Sequence, residues 1–203
     1  QLDGRMAGSL GDAGALSFYP TKTLGGFGDG GMVVSDDAET AGRMRRLRAH
    51  GIGEGGEHVM LGYNSRLDEV QATVVRLKLQ QLDAMNERRR TIAARYNAVL
   101  GAAGAVVPGA PARAHHVYGY YTILVDNRDA VREELGRRGV ATALYYGKPL
   151  HRHRHFASVC RAHPMPVAER VAGRCLSLPI FPEMRDEEVE YVAATVAELV
   201  GGT

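Results

Sequence analysis

Lys22 lies in SFYPTKTLGGFGDGGMVV (residues 17–34), with Phe18 and Tyr19 shortly before it and five glycines within the nine residues after it. A lysine amine attacks carbonyl carbons to form a Schiff base, and burial beside apolar and aromatic groups favours the unprotonated, reactive amine. Glycines remove side-chain bulk and permit positive φ angles, so backbone can approach a flat cofactor or a bulky substrate. Ser17, five residues before Lys22, could offer a hydroxyl to a phosphate at the far end of such a cofactor. The same residues also describe a solvated lysine in a hairpin-like loop, the ordinary fate of lysines.

Two other readings of the segment fail on context. Residues 26–31, GFGDGG, satisfy the dinucleotide fingerprint G-x-G-x-x-G, which must follow a strand and open a helix. Here it opens the apolar run GMVVS, a predicted strand. Lys22-Thr23 imitates the end of a P-loop, but Thr21 stands where the glycine must be, and the glycines follow the lysine instead of preceding it.

Other residues carry weaker signals. Asn64 in GYN precedes RLDEV and suits a turn or helix cap as well as a binding role. HRHRH (151–155) would align three histidines on one face of an extended strand and suggest a metal, but no cysteine or carboxylate neighbours them. A solvated basic loop, able to attract a diphosphate, fits the run better. RMRRLR (43–48) and NERRRTIAAR (86–95) read as wet helix faces. His116, Tyr118 and Tyr121 could contact a sugar, with strand core or edge as the alternative for the tyrosines.

The elements that must position these residues follow from periodicity and punctuation. Residues 15–19 and 31–35 are predicted buried strands flanking the glycines. Asp36 or Asp37 caps a helix over 38–49, stopped at His50-Gly51. From Arg66 a stripe of Leu67, Val70, Val74 and Leu77 predicts an amphipathic helix that continues, with a kink, to Leu100. GAAGAVVPGAP (101–111) is the clearest composition break. Beyond it strands are predicted at 117–125, 140–146 and 176–178, and helices at 128–138, 166–175 and 187–200. Asp186 caps the last helix, whose buried face is Val189, Val192, Val196 and Leu199. Strands alternating with helices give an α/β fold.

Composition narrows the function classes. The 203 residues carry 25 basic and 23 acidic side chains, and this net +2 gives no electrostatic case for a nucleic-acid or membrane-surface partner. No apolar run reaches the roughly 20 residues of a membrane span. Cys160 and Cys175 match no metal or redox spacing, so a reducing cytoplasm is the expected compartment. The opening QLDGRMAG has neither an initiating methionine nor a leader, which reads as a start inside a longer protein.

Beyond these readings, SFYPTKTLGGFGDGG resembles the active-site lysine segment of the DegT/DnrJ/EryC1/StrS family, pyridoxal-phosphate-dependent sugar aminotransferases. RAHG (48–51), GYNSRLDEVQAT (62–73), VYGYYTILV (117–125), YYGKPLH (145–151), P-x-AER (166–170) and LSLPIFPE (176–183) resemble the family in its order. The resemblance covers essentially this whole chain, but only the carboxyl-terminal half or so of a family member. It implies an aspartate-aminotransferase-like fold (PLP transferase fold type I), with residues 1–100 the end of the large cofactor domain plus a connecting helix. Residues 101–203 would be the small carboxyl-terminal domain. It implies a homodimer with shared active sites, in which Lys22 holds the pyridoxal 5'-phosphate covalently and shuttles a proton, Ser17 binds the cofactor phosphate, and Asn64 reaches the phosphate of the neighbouring subunit's cofactor. The carboxylate for the ring nitrogen is expected upstream of Gln1. Gly119 departs from the histidine or other polar residue common in the family. The implied reaction moves an amino group from glutamate or glutamine to a keto group of a nucleotide-linked deoxysugar. A ketocyclitol acceptor, or a non-catalytic regulatory or scaffold role, is the alternative. Dehydratase relatives replace the lysine by histidine, and Lys22 argues against that branch.

Overall fold

In the computed structural model, which describes residues 1–159 and 163–201, the chain divides into two compact units. The first comprises residues 1–85 and 110–116, the second residues 86–109 and 117 onward.

The first unit is built on an antiparallel ribbon. Strands β1 (Gly14–Ser17) and β2 (Gly31–Val34) pair with Ala15 opposite Val33 and Ser17 opposite Gly31. Both were expected to be buried, but Leu16, Met32 and Val33 are exposed. Among the described residues no third strand pairs with the ribbon, and two strands alone cannot bury their own faces. Helix α1 (Ala38–Leu47) follows, capped by the Asp37 carboxylate, which accepts from the Thr40 N–H at 2.7 Å. The Thr40 hydroxyl and then its N–H hold the Asp37 carboxyl below the usual aspartate range. The arginines of 43–48 are exposed, as the wet-face reading requires.

Helix α2 (Glu69–Leu79) does not bury the predicted stripe: Val70 and Leu77 are exposed. Its covered face is instead Leu67, Gln71, Val74, Val75 and Lys78. Positions 71 and 78 lie two turns apart on one face, and both are polar because their side chains serve loop backbone. Hydrophobicity alone could not find such a face. Helix α3 (Leu82–Ala102) begins three residues after α2 ends, which places the expected kink at Gln80-Gln81.

From Asn86 onward α3 belongs to the second unit, because Arg89, Ile92, Ala93, Tyr96 and Leu100 enter its core. α3 runs into the composition break, whose residues 103–111 are loop, and residues 110–116 return to the first unit. Strand β3 (Tyr121–Leu124), helix α4 (Arg128–Arg137), the short helix α5 (Arg154–Val159), helix α6 (Pro166–Arg174), strand β4 (Cys175–Leu178) and helix α7 (Asp186–Gly201) complete the unit. β3 and β4 are antiparallel, Ile123 facing Leu176. The predicted strands at 117–125 and 140–146 shrink: only 121–124 is a strand in the first, and only Ala143 pairs with Ser177 in the second. Tyr118, at φ 47°, bends the chain out of extended geometry before β3. Gly139, at φ 76°, ends α4 as predicted.

The core packs α3, α4 and α7 on this small sheet through Ile92, Tyr96, Leu100, Ile123, Leu135, Leu176, Val189 and Val196. Val189, Val192 and Val196 are buried as predicted, and Leu199 is half-buried. NERRRTIAAR is not a wet face. Arg89 is buried and donates to the Ile180 carbonyl at 2.5 Å, Arg88 donates to the Met184 carbonyl at 2.5 Å, and Arg88 and Arg95 both pair with Asp186. Asp186 therefore serves as an ion-pair hub instead of a cap. The Glu188 carboxylate accepts from the Arg185 N–H at 2.9 Å, which is half of a capping box. Cys175 is buried at the start of β4, and Cys160 lies outside the described residues.

Candidate functional site

The Lys22 loop starts where β1 ends. The Phe18 N–H donates to the Gly30 carbonyl at 2.8 Å, and the Gly26 N–H donates to the Phe18 carbonyl at 2.8 Å. These bonds close the loop at its base. Within it the Lys22 N–H donates to the Tyr19 carbonyl at 2.9 Å, so Lys22 stands on a tight turn, half-buried. Phe18 is buried as the anchor, whereas Tyr19 is half exposed.

The glycines after Lys22 have specific neighbours. A Cβ on Gly25 would lie 2.5 Å from the Pro20 carbonyl oxygen and 2.8 Å from that of Tyr19. Those atoms are backbone and cannot step aside, so only glycine lets the loop fold back beside the turn that carries Lys22. A Cβ on Gly26 would meet the Gln71 Oε1 at 2.8 Å, and one on Gly28 the Gln71 Nε2 at 3.1 Å. Part of the glycine content thus makes room for a side chain from α2.

Ser17 is exposed at the end of β1, and its Oγ accepts from the Tyr19 N–H at 3.3 Å, which leaves its hydroxyl proton able to donate to an anion. Ser17 and Lys22 therefore bracket one turn. Asn64 is placed by a different device. The His50 N–H donates to the Tyr63 carbonyl (2.9 Å), the Tyr63 N–H to the Leu47 carbonyl (2.7 Å) and the Ser65 N–H to the Arg48 carbonyl (2.9 Å). RAHG and GYN, distant in sequence, form one zipped element. Gly51, at φ 72°, approaches so closely that its Cβ would fall 1.8 Å from the Met60 carbonyl oxygen. Asn64 is exposed there, its Oδ1 accepting from the Arg66 Nε at 3.2 Å. Its amide nitrogen is a donor suited to an anion.

A hydroxyl donor and an amine on one turn fit the two ends of a phosphorylated aldehyde, so the residues present suit pyridoxal phosphate at those ends. Sequence reasoning missed Gln71 and Lys78. The Gln71 Oε1 accepts from the Phe27 N–H at 2.8 Å, and the Lys78 Nζ donates to the Gly25 carbonyl at 2.7 Å, both onto the Lys22 loop. Only the i, i+7 spacing on α2 could have signalled them.

The remaining candidates divide. Tyr121 is fully buried and donates to the Asn97 Oδ1 at 2.7 Å, and Tyr118 packs on the same core, so these two are core residues. Burial raises the Tyr121 hydroxyl above the ordinary tyrosine range. His116 is exposed, and partial desolvation of its ring lowers the imidazole. HRHRH is not a strand: residues 150–152 form a 3-10 turn and α5 begins at Arg154. His151 is mostly buried against Glu169 at 3.0 Å, where Arg152 also pairs. Among the described residues no three potential ligands gather for a metal.

The family model for DegT/DnrJ/EryC1/StrS aminotransferases matches residues 1–197. The chain belongs to that family. Over 202 residues it is 45% identical to the UDP-N-acetyl-3-dehydro-alpha-D-glucosamine 3-aminotransferase of Acidithiobacillus ferrooxidans, covering 100% of this chain and 54% of the relative. It is 42% identical to a "pleiotropic regulatory protein" of Geobacillus stearothermophilus, covering 98% and 54%. Among solved structures of the family it resembles DesV of S. venezuelae, crystallised with a ketimine intermediate, at TM-score 0.91 and 38% identity, over 98% of this chain and 54% of that one. The chain spans about half the length of the curated relatives it matches. Its mixed helix-and-sheet fold is therefore that of one half of a DegT/DnrJ/EryC1/StrS aminotransferase, as the sequence resemblance implied.

Proposed function

We propose that the protein is a pyridoxal-phosphate-dependent aminotransferase that moves an amino group from glutamate or glutamine to a keto group of a nucleotide-linked deoxysugar. The observation that carries this reading is the turn bearing Lys22, closed by backbone bonds, cleared by Gly25 and flanked by the Ser17 hydroxyl, in a chain matched to the family over residues 1–197. The first relative described above is itself named for amination of a UDP-linked 3-keto sugar. We read the first unit as the end of the large cofactor domain and the second as the small domain. The working protein is, in this proposal, a cytoplasmic homodimer, and no described helix is long and apolar enough to cross a membrane.

When bound, the cofactor supplies the electron sink for breaking a carbon–hydrogen bond next to nitrogen. The protein's part falls to named atoms. Lys22 Nζ would hold the cofactor at its aldehyde end, and the same nitrogen, as a free amine, would carry a proton at the carbon being reprotonated. Ser17 Oγ would hold the phosphate of its own subunit's cofactor and the Asn64 amide that of its neighbour, and both would position the group relative to Lys22, which is where positioning acts on rate.

The full-length protein should show a visible absorbance band that borohydride bleaches while labelling Lys22, and Lys22→Ala should lack the band and the activity. A panel of keto-sugar nucleotides and ketocyclitols assigns the acceptor; inactivity on all of them would reject both acceptor classes. The regulatory name of the Geobacillus relative favours one second reading, a non-catalytic regulator. A colourless full-length protein would select it.

A further inference from the structure

We propose that Gln71 and Lys78 are positioning residues that hold the Lys22 amine in its reactive place. This rests on the aminotransferase reading. The two side chains project from one face of α2 seven residues apart, a spacing of about two turns and about 10 Å. Each ends on backbone of the glycine loop: Lys78 Nζ on the Gly25 carbonyl at 2.7 Å, Gln71 Oε1 on the Phe27 N–H at 2.8 Å. Gly25 is also the residue whose Cα packs against the carbonyls of Tyr19 and Pro20, and the Tyr19 carbonyl accepts the Lys22 N–H. The chain of contacts therefore runs from α2 through Gly25 to the turn that carries the amine.

The design is more specific than ordinary packing. The missing side chains at Gly26 and Gly28 leave the space that the Gln71 amide fills, since a Cβ at either would approach its oxygen or nitrogen to about 3 Å. A half-buried lysine placed on a backbone carbonyl gives a charge-assisted bond, stronger than a neutral one. With five glycines from 25 to 31, the loop has little side-chain packing of its own to resist motion. Two external anchors replace it. Loss of either frees the loop, and small displacements of a reacting amine cost rate steeply.

The test uses full-length protein carrying Q71M, K78M or K78R. Methionine keeps the side-chain length at position 71, is one atom shorter than lysine at 78, and removes the polar group at both; arginine keeps a donor for Gly25. We expect Q71M and K78M to slow the half-reaction with the amino donor about tenfold, the loss of one such hydrogen bond. The visible band's pH titration should shift, and amide hydrogen exchange at Phe27 and its neighbours should accelerate. Cofactor affinity should stay within about twofold, because Ser17 holds the phosphate separately, and K78R should recover most of the rate. A coloured wild type whose Q71M and K78M variants match it in rate, titration and exchange would overturn this inference alone. So would variants that lose rate only in proportion to a fallen melting temperature, with K78R no better than K78M. A colourless wild type would overturn the aminotransferase reading itself, and this inference with it.

Discussion

Lys22 shows how little a residue's type says before its surroundings are known. Its chemistry is legible from the sequence, because an amine beside aromatics and glycines suits carbonyl attack, yet the same letters describe a solvated loop lysine. The closed turn through the Tyr19 carbonyl and the half-buried position support the first reading. Ser17 was singled out for its hydroxyl five positions before Lys22, within the predicted strand 15–19, and the observed β1 ends on it. Ser17→Ala should weaken cofactor retention about tenfold, the scale of a hydrogen bond to a charged group, measured by titrating the apo full-length protein. Tyr121 teaches the opposite lesson: it looks like a candidate ligand, yet it and Tyr96 are core residues whose hydroxyls burial pushes above the ordinary range, Tyr96 donating to the Pro179 carbonyl and Tyr121 to the Asn97 side chain. A raised tyrosine value means stability that is complete below the unfolded value and is lost as pH rises through the folded one. Alkaline unfolding of the protein should therefore be less steep in Tyr96→Phe, read by urea midpoints at increasing pH.

At the scale of elements, the helix α2 was found by pattern but its face was misread. Apolar periodicity selected Val70 and Leu77, whereas the covered face carries Gln71 and Lys78, spent on the glycine loop. A hydrophobic stripe reports burial against apolar neighbours; it is blind to a face whose neighbours are backbone amides and carbonyls. The loop itself predicts two unequal substitutions. Gly25→Ala forces a Cβ against backbone oxygens beside the Lys22 turn, so activity of the full-length protein should fall at least about tenfold. Gly30→Ala meets the end of the Leu67 side chain at 2.8 Å, which can rotate away, and should cost far less. Steady-state rates of the two variants side by side check the ordering. The predicted strands at 117–125 and 140–146 were too long because β-branched and aromatic content marks a surface that packs, while ladder length is set by which partner backbone lies alongside.

At the scale of the molecule, the second unit's core depends on α3 supplying residues from Asn86 to Leu100. Ile92→Ala there should destabilise by about 2–5 kcal/mol, seen as a lowered urea midpoint with an unchanged slope. Asp186, which binds Arg95 and Arg88 and is held below its ordinary value by those hydrogen bonds, adds a pH term. Its contribution is present above the unfolded aspartate value and is lost as pH falls through the lowered folded one, so Asp186→Asn should flatten the acid limb of the stability curve. The boundary between units illustrates the limit of composition: the small, uncharged stretch 101–111 looked like the divide, but α3 carries its residues into the second core fifteen positions earlier. By itself, the sequence determined the helices with strong caps and stops, the family motifs in their order and the lysine on which the proposed function rests, because those signals are local or chemical. Only the tertiary structure decided that RAHG and GYN zip together, that Arg88, Arg89 and Arg95 face carbonyls or Asp186, and that α2 grips the lysine loop, because each depends on which groups elsewhere in the chain need partners.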